Sequence, residues 1–458
     1  MSLRQFITAR KLLRPFTVVK NTAVYGWKEV ARKFGLHEDL YFNPAHKKLS
    51  KPVNVILIGA GHRGSNYASY AIKNPAEMKI VAVADPNSHR RQKMARQYKL
   101  DAAMCFHSWE EVFNKEKFAD AVIIATPDQL HTAPCLKALD AGYDVLLEKP
   151  IAPTEEECRQ ILAKAKETGR IVGVCHVLRY TPYFRELKEI LDAKMIGEVI
   201  SIQHLEPIEH IHMSHSYVRG NWRNSKIATP IILAKSCHDT DIIRWLVNDA
   251  ADNVHCFGNL KWFKNANAPE GSTERCTDGC AVEHDCPYSA LQIYYRDRKR
   301  LYVFDLPEDK RKWDKIIMHG LKTTDYGRCV YRMDNDQPDH LTVNILFKHG
   351  VTAAFSMEAF VSYEGRRTRI MGSMGDITGD MESFTLTTFK TGKRTTWSMK
   401  TDAHGGGDHP LVKDWIQAVG QQDPALLSSS IDVSVESHIM AFAAERSRLS
   451  RTIEDIVL

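Results

Sequence analysis

Three stretches of the chain hold groups of the kind that bind or transform a ligand. The first is Gly59-Ala-Gly61-His62-Arg63-Gly64, with glycines spaced G-x-G-x-x-G. Gly59 permits a tight turn, Gly61 lets a pyrophosphate approach bare backbone, and Gly64 lets the following helix pack close to a strand. The chemistry is phosphate binding by backbone N–H groups at a helix start. That spacing is common, so its surroundings decide. An apolar run over 53–58 precedes it, a helix is expected over 65–73, and a second apolar run over 79–85 ends on Asp85, 21 residues past Gly64. A carboxylate there accepts hydrogen bonds from the adenosine ribose. Asp85 would repel a 2′-phosphate, which favours NAD. His89, Arg90 and Arg91 lie just beyond and could reach such a phosphate, which leaves NADP open.

The second stretch is Cys276-x-x-x-Cys280-x-x-x-x-x-Cys286, with Cys329 or His284 as a fourth ligand. Three cysteines in eleven residues of a Gly/Asp/Thr/Pro-containing loop suit tetrahedral thiolate coordination of a structural zinc. An iron–sulfur cluster and reduced free thiols are the competing readings. Other cysteines, such as Cys135 and Cys175, stand singly in apolar segments and read as buried thiols in a reducing compartment. The third stretch, 209–223, carries His210, His212, His215, Tyr217 and Trp222. Its histidine spacing matches no standard metal site, and it reads as a loop lining a substrate.

These groups need a scaffold, and the periodicity supplies one. Over 52–175, apolar runs at 121–125, 145–147 and 171–175 alternate with helical patterns starting at Trp109, over 131–141 and over 154–168. Thr154 followed by Glu157 is a capping box. Strands alternating with helices imply a doubly wound parallel sheet that takes its ligand outside the carboxyl edge. Thr126-Pro127 and Glu148-Lys149-Pro150 fall on that edge. A lysine there can stabilise a hydroxyl oxygen as it loses its proton. Beyond 176 the pattern changes. Runs at 200–205, 341–347, 351–357 and 368–372 alternate as half-buried strands without intervening helices, and 410–419 and 435–449 read as closing helices.

Gly59-Ala-Gly61-x-x-Gly64, Ala125-Thr126-Pro127-x-x-x-x-His131, Glu148-Lys149-Pro150 and Arg179-Tyr180-x-Pro182, in this order, resemble the Gfo/Idh/MocA family of nicotinamide-dependent sugar oxidoreductases over about residues 52–450. The resemblance implies a Rossmann domain over 52–175 and a C-terminal α/β domain over 176–458. The latter has a large, mostly antiparallel sheet that covers the cofactor and mediates homo-oligomerisation; here it carries a Cys-rich insertion near 265–335. It implies cofactor contacts from Gly59, Gly61, His62, Arg63, Gly64, Asp85, Thr126, Pro127, His131, Glu148 and Lys149. Lys149 and His238 are the implied catalytic pair, His238 being tunable near neutral pH. Relatives carry an aspartate four residues before this histidine, where this chain has Ala234, with Lys235 next to it.

Arg179, Tyr180, His212, His215, Tyr217, Trp222, Lys235, His404 and Asp408 are the expected substrate residues, with Trp222 stacking on a sugar face. The reaction implied is hydride transfer from a sugar hydroxyl carbon to NAD. The alternative is a redox-neutral glycoside hydrolase that oxidises the sugar transiently, eliminates the glycosidic group and re-reduces. Loss of the family aspartate and the extra imidazoles lean toward it.

Charge and hydropathy limit the remaining classes. Residues 1–51 hold eleven Lys/Arg against three acids, a net of +8 within a chain of formal charge +6, so the rest carries −2. A near-neutral body advertises no nucleic-acid partner. No apolar run is long enough to span a membrane. The basic segment has no signal-peptide core and reads as an arm over its own body or a partner subunit, with a mitochondrial-type transit peptide as the alternative. The expected setting is cytoplasmic.

Overall fold

Strand β1 (Val53–Ile58) is buried at five of six positions, as its Val, Ile and Leu side chains require of a strand covered on both faces. It lies in a computed structural model that describes residue 43 and residues 45–399 and 406–458. Most of the expected N-terminal arm, and His404, lie outside the described residues. Five more strands complete the first sheet: β2 (Met78–Ala84), β3 (Cys105–Phe106), β4 (Ala121–Ile124), β5 (Asp144–Leu147) and β6 (Val172–Val174). Their order is β3-β2-β1-β4-β5-β6, and every pairing is parallel. The order reverses between β1 and β4, so a crevice opens at the carboxyl ends of those two strands.

Gly59 closes the floor of this crevice at φ +90°, where a Cβ would stand 2.4 Å from the Ala125 carbonyl oxygen. The helix that follows runs His62–Ala68 and resumes as Tyr70–Lys73, with a break at Ser69 inside the expected 65–73. A Cβ on Gly64 would lie 2.0 Å from the Gly59 carbonyl oxygen, so only glycine allows this helix so near the strand end. Helix Glu155–Thr168 starts where its capping residue places it, with Thr154 Oγ1 accepting the Glu157 N–H at 3.2 Å.

The second sheet has nine strands: β7 (Val199–Glu209), β8 (Ala251–Asn259), β9 (His340–Phe347), β10 (Thr352–Val361), β11 (Arg367–Gly372), β12 (Gly375–Gly379), β13 (Ser383–Thr388), β14 (Arg394–Ser398) and β15 (Glu454–Asp455). Their order is β14-β13-β12-β11-β7-β10-β9-β8-β15, antiparallel except for the central β7–β10 pair. In β9 buried and exposed residues alternate strictly, so one face packs and the other is open. Helices Cys237–Val247 and Ile431–Ser450 pack on the covered side, and the latter also touches helix Glu155–Thr168 of the first sheet. One hydrophobic core therefore runs from Ile56 and Val122 to Ile370 and Phe384, and residues 47–458 form one compact unit. No described helix is long and apolar enough to cross a membrane.

Between β8 and β9 the chain adds a segment without strands that has its own small core of Ala290, Ile293, Tyr294, Phe304, Ile317 and Leu321, seated on Ile211. A short antiparallel bridge between Arg275 and Arg328 ties its two ends together.

Candidate functional site

At the crevice, the positions expected to meet a dinucleotide have the required shape. A Cβ on Gly61 would meet nothing nearer than an Arg90 guanidinium nitrogen at 3.9 Å, so the space over this residue is open. Asp85 ends β2 with its carboxylate accepting N–H groups from Ala60 at 2.7 Å and Asn87 at 2.8 Å. Arg91 is anchored on the Asp85 carbonyl at 2.5 Å. On the far side, the His131 ring lies 2.9 Å from the Thr126 carbonyl and 2.7 Å from that of Pro150. This buried ring holds the β4 and β5 loops together. Pro127, between them, is exposed.

Glu148 follows β5 and is the hub of a charged network. Its Oε1 accepts from Arg63 Nε at 2.9 Å and from the Tyr67 hydroxyl at 2.8 Å, and its Oε2 accepts the Lys149 N–H at 2.5 Å. Burial opposes its charge, but Arg63 and Lys149 hold the carboxyl below its usual range. Arg63 turns its other nitrogens to Asp408 at 2.5 and 3.3 Å, and Asn66 donates to the same carboxylate. The Arg63 and Asp408 side chains, expected on cofactor and substrate respectively, are thus bound to each other. The pair fastens the first helix of the Rossmann sheet to helix Asp408–Gln421.

Lys149 projects from this hub, and the peptide to Pro150 is cis. Its Nζ donates to the Ala234 carbonyl at 2.8 Å. The residue where relatives keep an aspartate therefore still contacts the lysine, through backbone instead of a carboxylate. His238 lies in the first turn of the helix that follows. Burial, with Lys149, His176, Arg366 and Lys235 around it, pushes its imidazole well below the usual value, so the ring is neutral at pH 7. Its Nδ1 has no hydrogen-bond partner among the described residues.

The histidine-rich stretch closes over the same region as two helical turns, His210–Met213 and the π-helical Ser214–Arg219. His212 Nδ1 lies 3.2 Å from Glu364, which Arg300 also meets at 2.6 Å. Burial and Lys235 lower His212 to about 4. His215 lies between two tyrosine hydroxyls, Tyr294 at 2.7 Å and Tyr302 at 2.9 Å, with Tyr326 stacked on its ring, and burial lowers it to about 3. The Tyr302 ring reaches back to His62 of the glycine loop, 5.9 Å between centroids. The Tyr217 ring lies between those of His212 and Trp222, tilted by 38° to each, and Trp222 is exposed. Lys235 pairs with Glu206 at 2.9 Å. Nothing in the sequence pattern points to Glu364, Arg300 or Tyr302, which lie up to 152 residues from their partners on unpatterned loops.

Three expectations meet a different geometry. Arg179 is buried with its Nε and Nη2 on Asp241 at 2.7 and 2.6 Å and its Nη1 on the Ser428 carbonyl. Tyr180 is equally buried, its hydroxyl bonded to Ser429 at 2.8 Å. Both side chains are buried and bonded within the protein, where they tie the frame together. The zinc site is also corrected. Among the described residues no three His, Cys, Asp or Glu side chains are arranged to hold a common ion, and His284 is exposed beside Glu283. Cys276, Cys280, Cys286 and Cys329 instead stand around one cavity, and none forms a disulfide.

Comparison with known proteins agrees with the architecture. A model of an oxidoreductase family with an NAD-binding Rossmann fold matches residues 53–176, and its companion for the C-terminal alpha/beta domain matches 188–436. YteT of Bacillus subtilis (strain 168), which carries the name of an oxidoreductase, is 27% identical over 319 residues, covering 64% of this chain and 71% of that protein. The scyllo-inositol 2-dehydrogenase (NAD(+)) of the same organism is 28% identical over 219 residues; the match spans 45% of this chain and 58% of the dehydrogenase. The inositol dehydrogenase homolog of Azotobacter vinelandii, solved with NADH and myo-inositol, superposes with a TM-score of 0.64 at 15% identity, over 90% of this chain and 99% of that one. Both halves of the fold are matched by their family models, and the chain belongs to the Gfo/Idh/MocA family of NAD-binding oxidoreductases.

Proposed function

We propose that the chain oxidises a hydroxyl of a cyclic sugar or polyol with NAD, using Lys149 and His238. The observation that carries this reading is that a lysine from the Rossmann edge reaches the Ala234 carbonyl of the second half, near enough to the neutral His238 for its charge to help depress that ring. The open space over Gly61, the positive φ of Gly59 and the carboxylate of Asp85 fit a dinucleotide, whose nicotinamide, when bound, supplies the hydride acceptor. Asp85 at the end of β2 supports NAD over NADP.

Lys149 has donors left after the Ala234 carbonyl takes one, and these serve a substrate hydroxyl as it acquires negative charge. His238 is uncharged at neutral pH and is available to accept the proton. Tyr217 and Trp222 offer an aromatic wall, and His212 with Glu364 a hydrogen-bonding one, which suits a polyhydroxylated ring. The inositol dehydrogenases among its relatives support the same substrate class. The open face of the nine-stranded sheet, with Phe257 and Leu346 exposed on its strands, supports association with further copies of the chain.

The test is kinetic. Turnover of cyclic polyols and sugars, followed as NADH, should fall by about 10²–10⁴ in Lys149→Ala and in His238→Ala, with NAD affinity within a few-fold of wild type. Near-normal turnover in both variants would refute the assignment. The imidazole of His212 beside Tyr217, with His215 on the adjoining turn, supports the hydrolase as a second reading. It requires glycoside cleavage with solvent deuterium entering next to the oxidised carbon and no net NADH.

A further inference from the structure

We propose, on the reading that NAD fills the crevice, that Tyr302 is a positioning residue that covers the bound dinucleotide and slows its release. Tyr302 belongs to the segment added between β8 and β9. Its hydroxyl lies 2.9 Å from His215 Nε2, and its ring stacks on that of His62, with centroids 5.9 Å apart and planes at 29°. His62 directly follows Gly61, over which, on that reading, the pyrophosphate lies. One side chain thus bridges the phosphate loop of the first sheet and the histidine turn of the second half.

The bridge is held from behind. His215 is buried, and its Nδ1 lies 2.7 Å from the Tyr294 hydroxyl, so both ring nitrogens are engaged. Burial keeps this imidazole neutral, with one donor and one acceptor, and the two hydroxyls satisfy both. Tyr294 is itself buried in the small core of the added segment with Phe304 and Ile317. The position of Tyr302 is therefore fixed by packing that lies outside the crevice.

The chain reaches Tyr302 through two left-handed residues, Arg298 at φ +55° and Arg300 at φ +54°. That conformation costs a non-glycine residue free energy and persists where its surroundings fix it, as at ligand clamps. Arg300 is fixed by Glu364 at 2.6 Å, the acid that also meets His212. Despite these tethers Tyr302 is 59% exposed. A ring fastened at its hydroxyl and on one face, with the rest of its surface open, is preorganised to gain contact when a ligand enters beside His62.

Stopped-flow release of NADH from the full chain, followed by its fluorescence, tests this. Tyr302→Phe keeps the ring and loses the hydroxyl contact, and should release NADH about two- to tenfold faster, the equivalent of one neutral hydrogen bond. Tyr302→Ala also loses the ring, and release should be about ten- to hundred-fold faster. The effect should fall on KM for NAD more than on kcat, and both variants should melt with wild type because the side chain is exposed. Release at the wild-type rate from both variants would overturn the proposal. So would a fall in kcat or Tm without faster release. A wild-type chain that binds no NADH would refute the occupancy of the crevice itself, and the cover with it.

Discussion

Gly61→Ala and Gly64→Ala add the same methyl group three residues apart, and the structure sets opposite outcomes for them. At Gly61 the new Cβ meets only an arginine nitrogen at 3.9 Å, an ordinary contact, so the free protein should melt within about 0.5 kcal/mol of wild type. The same methyl occupies the space that a pyrophosphate needs. Pushing the phosphates off the backbone N–H groups forfeits charge-assisted hydrogen bonds worth about 1.5–3 kcal/mol each, or roughly ten- to hundred-fold in NAD affinity per bond. At Gly64 the Cβ would stand 2.0 Å from the Gly59 carbonyl oxygen and 3.1 Å from Leu57 Cδ1. Backbone must move, at a cost of about 1–3 kcal/mol before any ligand is added. Thermal melting of the free proteins and calorimetric titration with NAD separate the two effects. Gly61→Ala should keep its Tm and lose affinity, whereas Gly64→Ala should lose both. Wild-type NAD affinity in Gly61→Ala would refute the placement of the pyrophosphate.

Replacing Asp241 with Ala leaves Arg179 charged and buried without its carboxylate, and should cost about 3–5 kcal/mol, read as a marked fall in Tm; an unchanged Tm would show that this pair does not hold the frame. Burial also keeps His176 and His438 neutral, the latter lowered to about 3. An unfolded histidine takes up a proton below about pH 6.5 that the folded ring refuses. Stability from these groups is therefore complete above that pH and declines as pH falls toward about 3, by about 1.4 kcal/mol per pH unit for each ring. Tm should drop from pH 6.5 to about pH 5, less steeply in His438→Gln, and a flat profile would contradict the neutral assignment.

Much of this molecule is legible in short-range pattern. The turn at Gly59, the acid at Asp85, the capping of helix Glu155–Thr168 and the alternation in β9 depend on residues within a few positions of one another. Local sterics and the period of burial settle such features wherever the chain lies in the fold. The pairings around the site are different. Arg63 finds Glu148 85 residues away and Asp408 345 residues away, and His215 finds Tyr302 at a separation of 87. Which donor meets which acceptor at that range depends on two sheets sharing one core, and no spacing rule encodes it. Asp408 and Arg179 therefore read as substrate ligands from motif position, whereas their bonds to Arg63 and Asp241 appear only in the folded chain. The cysteines combine both cases. Three of them stand close in the chain, but that Cys329 joins them around one cavity follows only from the insertion folding back on itself at the Arg275–Arg328 bridge.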